Sequence, residues 1–148
     1  LIWSEGMSIF LKTEDEIDLM RRANRLVGST LAELAKHIRP GVTTLQLDHI
    51  AEEFIRDHGA IPTFKNFPNP FGGSFPASIC TSVNAVVVHG IPSDKVVLKE
   101  GDIISIDCGT ELEGFNGDME LGARCMRNPQ YLTMVSLVVV YSSSLECA

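Results

Sequence analysis

Two β-prone runs meeting at Glu113-Gly114 constrain this chain more than any other feature. Ile104, Ser105, Ile106 and Asp107 alternate as a half-buried strand does, and an acidic residue followed by glycine suits a tight two-residue hairpin turn. With that turn, Thr110 faces Gly117 and Gly109 faces Asp118. Side chains alternate along a strand, so Asp107 shares a face with Asp118 and lies diagonal to it, with Cβ atoms roughly 7 Å apart. Two carboxylates so placed can share a pair of cations, an arrangement that activates water and polarises a carbonyl. Taken singly, an aspartate beside glycine is an ordinary turn residue. The pair gains weight because Asp107 interrupts the apolar run of Ile103, Ile104 and Ile106, where a charge is costly unless paired or metal-bound.

The 148-residue length suits one domain with a sizeable core, at 45% hydrophobic and 21% charged residues. The net charge of −7 and the lack of a lysine or arginine stripe argue against nucleic acid as a partner. Cys80, Cys108, Cys125 and Cys147 form neither a CxxC pair nor a disulfide framework, which fits a reducing cytoplasm and excludes a zinc finger. The apolar run Met134–Tyr141 is far short of the roughly 20 residues a membrane span needs. Leu1–Gly6 lacks the character of a signal peptide, and Met7 is the expected start.

Thr13 and Glu16 make a capping box before a long amphipathic helix, with Ile17, Met20, Ala23, Val27, Leu31, Leu34, Ala35 and Ile38 at helical spacing and Pro40-Gly41 as its stop. Thr44 caps a second helix that ends at Gly59. Residues 60 to 74 read as a long Pro-, Gly- and Phe-rich loop that lines a pocket or covers the core. Strands are expected over Phe75–Val83, Val86–His89 and Ile103–Thr110. The fold class is therefore α/β in the α+β sense, helices packed on a mostly antiparallel sheet. His37, His49 and His58 lie among charged helix neighbours and take no role. His89 ends an apolar run before Gly90, where backbone can approach a ligand, and a satisfied core histidine is the equal alternative.

In the stretches MSIFLKTEDEIDLMRRAN, RPGVTTLQLDHIAEEFIRDHGAIP, SICTSVNAVVVHGIPSD and LKEGDIISIDCGTELEGFNGD, the chain closely resembles the type I methionine aminopeptidases. The resemblance implies the N-terminal half of the pita-bread fold, over residues 7–118. It implies Asp107 and Asp118 as ligands of two divalent metals (iron, manganese, cobalt or zinc), Asp118 bridging both. It implies His89 as the catalytic, substrate-contacting histidine, and Cys80 and Phe75 as walls of a methionine pocket, with Phe67 or Phe71 as a further wall. The family's remaining ligands, a histidine and two glutamates, and its second catalytic histidine have no counterpart here, so the ligand set is incomplete.

Residues 119–148 depart from the family and read as the product of a frameshift or a truncated reading. The alternative is an added edge strand from Tyr131 to Tyr141. Glu120 and Glu146 are the only acidic residues there, and neither falls in a family motif. The resemblance implies removal of the initiator methionine from nascent peptides, at the ribosome, by a cytoplasmic monomer, with weak or no activity in this chain. A non-catalytic peptide-binding or inert fragment, or another pita-bread hydrolase such as a proline-specific peptidase, are the rival readings.

Overall fold

A computed structural model describes residues 11–68, 72–127 and 133–140. Phe71 and Cys147 lie outside the described residues, as do Leu1–Gly6 and Met7. Two helices, α1 (Glu14–Ala35) and α2 (Thr44–Asp57), precede five strands. These are β1 (Ile61–Pro62), β2 (Ile79–Val83), β3 (Ile103–Leu112), β4 (Phe115–Arg124) and β5 (Thr133–Val140). All pairings are antiparallel: β3 takes β4 on one side and both β1 and β2 on the other, and β5 pairs with β4.

Both helix starts follow from their first turns. Thr13 and Glu16 form the expected capping box, while the second box is Thr43 with Gln46, one residue earlier than expected. Thr44 is instead buried, and its hydroxyl donates to the Ser93 carbonyl at 3.1 Å and accepts the Ser93 N–H at 2.9 Å, tying α2 to the loop before β3. Helix α1 stops at Ala35, before Ile38, because Pro40 disfavours helical geometry at Arg39 and the chain unwinds ahead of it. Ile38 is nevertheless fully buried. Gly59, at φ 73°, supplies the left-handed residue that ends α2.

Alternation in the strands decides where the core sits. Ile104, Ile106, Cys108 and Thr110 of β3 and Leu121 and Ala123 of β4 are buried on one face, against Val27, Leu31 and Leu34 of α1 and Leu47, Ala51 and Ile55 of α2. Helix α1 approaches β4 so closely that a Cβ on Gly117 would lie 2.7 Å from the Ala23 carbonyl carbon and the Asn24 nitrogen. Only glycine permits that approach.

Two expected strands are altered. Val86–His89 is not a strand: Asn84 (φ 54°) and His89 (φ 57°) turn the backbone left-handed, and Val87 is 84% exposed, so this apolar run is a surface loop. Of Phe75–Val83 only Ile79–Val83 pairs, and β1 forms inside the expected loop of residues 60 to 74. The edge strand expected as the alternative for Tyr131–Tyr141 is present over Thr133–Val140, with a register shift between Gly122 and Ala123. No helix among the described residues is long and apolar enough to cross a membrane.

Candidate metal site

The hairpin turn sets the site. Leu112 pairs with Phe115, and Glu113 (φ 53°) and Gly114 (φ 81°) both adopt the positive φ of a two-residue type I′ turn. Arg22 of α1 holds Glu113 from outside by two hydrogen bonds, one of 2.9 Å. The register is therefore the expected one, Thr110 with Gly117 and Gly109 with Asp118. Asp107 and Asp118 share the sheet face opposite the helices.

Neighbouring strands add to that face. Cys80 of β2 pairs with Asp107 on one side, and Glu120 of β4 pairs with it on the other, giving a row Cys80, Asp107, Glu120 across three strands. Ser105 donates a short hydrogen bond to Glu120. Asn24 of α1 accepts the Asp118 N–H at 3.4 Å and donates from Nδ2 to the Met20 carbonyl at 3.0 Å, so the helix helps position β4 at the aspartate.

His89 reaches the site by a loop rather than along a strand. Gly90 seats the loop on β2: its carbonyl accepts the Thr81 N–H at 2.7 Å and its N–H donates to the Ser82 hydroxyl at 3.2 Å. A Cβ on Gly90 would stand 2.1 Å from the Thr81 carbonyl oxygen. The exposed His89 then lines one small pocket with Ser82, Val87, Val88, Ser105, Asp107 and Glu120. The reading of His89 as a core histidine is thus excluded. Phe75 is half-buried and joined to Phe67 through its backbone N–H, at 2.9 Å, in the loop before β2. Neither phenylalanine lines this pocket.

Electrostatics fit a cation. Burial, followed by the nearby charge of Asp118, pushes the Asp107 carboxyl up to about 7, and Glu120 adds to the rise. Burial also raises Asp118. Ionisation of Asp107 is opposed by its neighbour Asp118 as well as by burial. Asp118 Oδ1 is buried with no hydrogen-bond partner, an orphaned acceptor that a cation would satisfy. Burial pushes the Cys80 thiol up to about 12, so it is an apolar wall and not a thiolate ligand. Among the described residues, no three His, Cys, Asp or Glu side chains gather around one point as a complete metal site would require.

Two residues take no role in the sequence reading, Glu120 having been set aside there as outside any family motif. Glu120 follows from the hairpin register, which pairs it with Asp107, and its two-residue spacing from Asp118 was the signal. Asp48 of α2 carried none. It is 4% exposed and its Oδ1 accepts the N–H groups of Ser78 at 2.7 Å and Ile79 at 3.1 Å, anchoring the start of β2.

Paired carboxylates on the open face of an antiparallel sheet, with an orphaned oxygen between strands, are the arrangement of a metal-dependent hydrolase. The chain belongs to metallopeptidase family M24, whose model matches residues 18–133. It is 54% identical over 110 residues to the methionine aminopeptidase of Clostridium acetobutylicum, a match covering 74% of this chain and 42% of that protein. Methionine aminopeptidase 1 of Bacillus subtilis is also 54% identical, over the same shares. The crystal structure of methionine aminopeptidase from Rickettsia prowazekii matches with a TM-score of 0.73 and 41% identity, covering 82% of this chain and 46% of that one. An Xaa-Pro dipeptidase from Bacillus anthracis, 22% identical with a TM-score of 0.62, shares the fold. The expected pita-bread class holds for the described residues, and the chain spans about 42% of the length of these curated relatives.

Proposed function

We propose that this chain carries the N-terminal half-site of a metal-dependent aminopeptidase that removes methionine from the N-termini of nascent peptides. The observation that carries the reading is the hairpin register, which sets Asp107 and Asp118 on one face while the Gly90 anchor brings His89 to the pocket that Asp107 lines.

Asp107 and Asp118 are the residues that would hold divalent cations, iron, manganese, cobalt or zinc. Such cations supply Lewis-acid chemistry for hydrolysis of an amide. The remaining roles belong to side chains. His89, at the rim of the pocket, hydrogen-bonds the peptide beside the scissile bond and favours the tetrahedral geometry. Cys80, with a neutral thiol, and half-buried Phe75 offer the soft apolar surface that suits a methionine side chain. Glu120 beside Asp107 adds negative charge, which favours a cationic occupant. The partner is a nascent peptide, met at the ribosome, and the compartment is the cytoplasm, a reading supported by the free thiols of Cys80, Cys108 and Cys125.

Two aspartates supply few of the roughly six donors a hard divalent cation takes, so the 148-residue polypeptide should show little or no turnover by itself. Methionine release from a Met-Gly peptide with added cobalt or manganese tests this. Turnover at the rate of an intact relative would sink the half-site reading. A non-catalytic peptide-binding role is the second reading, favoured by the lack of a complete ligand cluster among the described residues. Binding of a methionyl peptide without cleavage, lost in His89→Ala, would support it.

A further inference from the structure

We infer that one face of α2, carrying Thr44, Asp48 and Glu52, is the positioning element for the peptide-recognition side of the site, clamping the segment that presents His89 to the carboxylate hairpin.

The three residues recur every four positions of α2, so they stack along one side of the helix. Each grips a different segment bordering the pocket. Thr44, 1% exposed, exchanges two hydrogen bonds with the Ser93 backbone, and its own N–H donates to the Val96 carbonyl at 3.0 Å. Asp48, one turn on, accepts the N–H groups of Ser78 and Ile79. Glu52, a further turn on, accepts from the Lys65 ammonium. Lys65 follows Phe64, whose ring lies over Gly109, the strand partner of Asp118. The remaining buried positions of α2, Leu47, Ala51 and Ile55, are apolar. Core packing alone would be served as well by apolar side chains at 44 and 48, because a buried polar group is costly unless hydrogen-bonded.

Thr44 and Asp48 thus hold both ends of residues 78–93 to a single turn of helix, and that stretch carries Cys80, Ser82 and His89. Inside it, Gly90 seats the loop on Thr81 and Ser82. His89 has a left-handed backbone, φ 57°, which a residue other than glycine adopts at a cost, so the loop depends on being held at its ends. The carboxylates are held separately, by α1. Asn24 accepts the Asp118 N–H, the Thr110 hydroxyl donates to the Ala23 carbonyl at 3.4 Å, and Arg22 pairs with Glu113. Loosening the grip of α2 therefore shifts His89 against a hairpin that stays in place. Because His89 contacts peptide in the half-site reading on which this rests, such a shift weakens peptide recognition.

The experiment is amide hydrogen exchange by NMR on the full chain, with titration of the dipeptide Met-Gly. The Thr81 N–H, bonded to the Gly90 carbonyl, reports the seating of the His89 loop, and the ladder amides between β3 and β4 report the hairpin. Thr44→Val removes the hydroxyl and keeps the branched shape. Thr81 should then exchange at least tenfold faster while the ladder amides stay within twofold of wild type. Thr44→Ser, which keeps the hydroxyl, should restore the wild-type rate. Asp48→Ala should act as Thr44→Val does, and should it not fold, the Thr44 pair decides alone. Met-Gly affinity should fall at least fivefold in Thr44→Val and return in Thr44→Ser. An unchanged Thr81 rate in Thr44→Val overturns the clamp, as does a rise shared equally by the ladder amides or a Thr44→Ser variant that behaves like Thr44→Val. A faster Thr81 with unchanged Met-Gly affinity overturns the role in recognition. A wild type that binds no Met-Gly sinks the peptide reading of His89 itself, and the exchange comparison still judges the clamp.

Discussion

Glu120 stands directly across β3 and β4 from Asp107, two residues along β4 from Asp118, so three acidic side chains share one face of a single hairpin. Burial first, and then the charges of Asp118 and Glu120, oppose ionisation of Asp107 and raise that carboxyl to about 7. Replacing Glu120 by Gln should therefore lower the Asp107 titration from about 7 toward the ordinary carboxylate range, though not all the way, because burial is the larger cause and remains. Carboxyl carbon titration followed by NMR reads this directly. An unchanged midpoint would show that Glu120 is screened from the pair.

Stability of the metal-free protein should fall as pH rises through the same window. In the folded state Asp107 holds its proton up to about 7, while in the unfolded chain it releases it near its ordinary value of 3.8. Between those values the native state binds more protons, so unfolding becomes easier with rising pH and the loss is complete above about 7. The decline should be of order 2 kcal/mol, allowing for solvent near the pair. Asp107→Asn should flatten the slope and be the more stable protein at pH 8. Thermal melts from pH 4 to 8 decide it. A divalent cation should raise the melting temperature more at pH 8 than at pH 5, because protons compete for the same oxygens.

Asp48→Ala should destabilise the fold by about 2 to 4 kcal/mol in urea titrations, since it leaves the buried N–H groups of Ser78 and Ile79 without an acceptor. Asp48→Asn keeps a carbonyl oxygen at that position and should lose less. Equal losses in the two variants would mean that packing, not the hydrogen bonds, is what Asp48 supplies.

Gly117→Ala should force α1 away from β4, because the new methyl meets helix backbone at 2.7 Å and backbone cannot rotate aside. A cost of about 1 to 3 kcal/mol is expected from overpacking of this kind. Gly114→Ala is a useful contrast: it has open space around it, and its cost of about 1 kcal/mol comes from the positive φ alone. The Gly117 variant should also weaken cation binding, because Asn24 and Asp118 are displaced together. Calorimetric titration with manganese would reveal whether the two effects travel together.

Gly90→Ala should leave the core intact and disable the pocket. Its Cβ would collide with the Thr81 carbonyl, so the loop carrying His89 must lift from β2. Affinity for a methionyl peptide should fall to the level of His89→Ala while the melting temperature changes by only a few degrees. A Gly90 variant that binds like wild type would detach His89 from the recognition of peptide.

Local signals were sufficient for the hairpin, the first capping box and both helices, because each rests on neighbouring residues: Glu113-Gly114 selects its own turn, and Thr13 with Glu16 closes its own first turn. The Asp107–Asp118 face followed from that turn by counting, and Glu120 was available to the same count. The apolar run Val86–Val88 misled because hydrophobic composition alone says nothing about what lies beside it. The positive φ of Asn84 and His89 takes this segment off the sheet and into solvent. Tertiary structure alone decided three things: that Asp48 anchors β2 across some 30 residues of chain, that α1 lies against Gly117, and that Gly90 docks His89 beside Asp107. Each depends on backbone groups far apart in sequence meeting within hydrogen-bonding or van der Waals distance. Such contacts arise only when the helices and the sheet bury their apolar faces against each other, and no local pattern encodes their geometry.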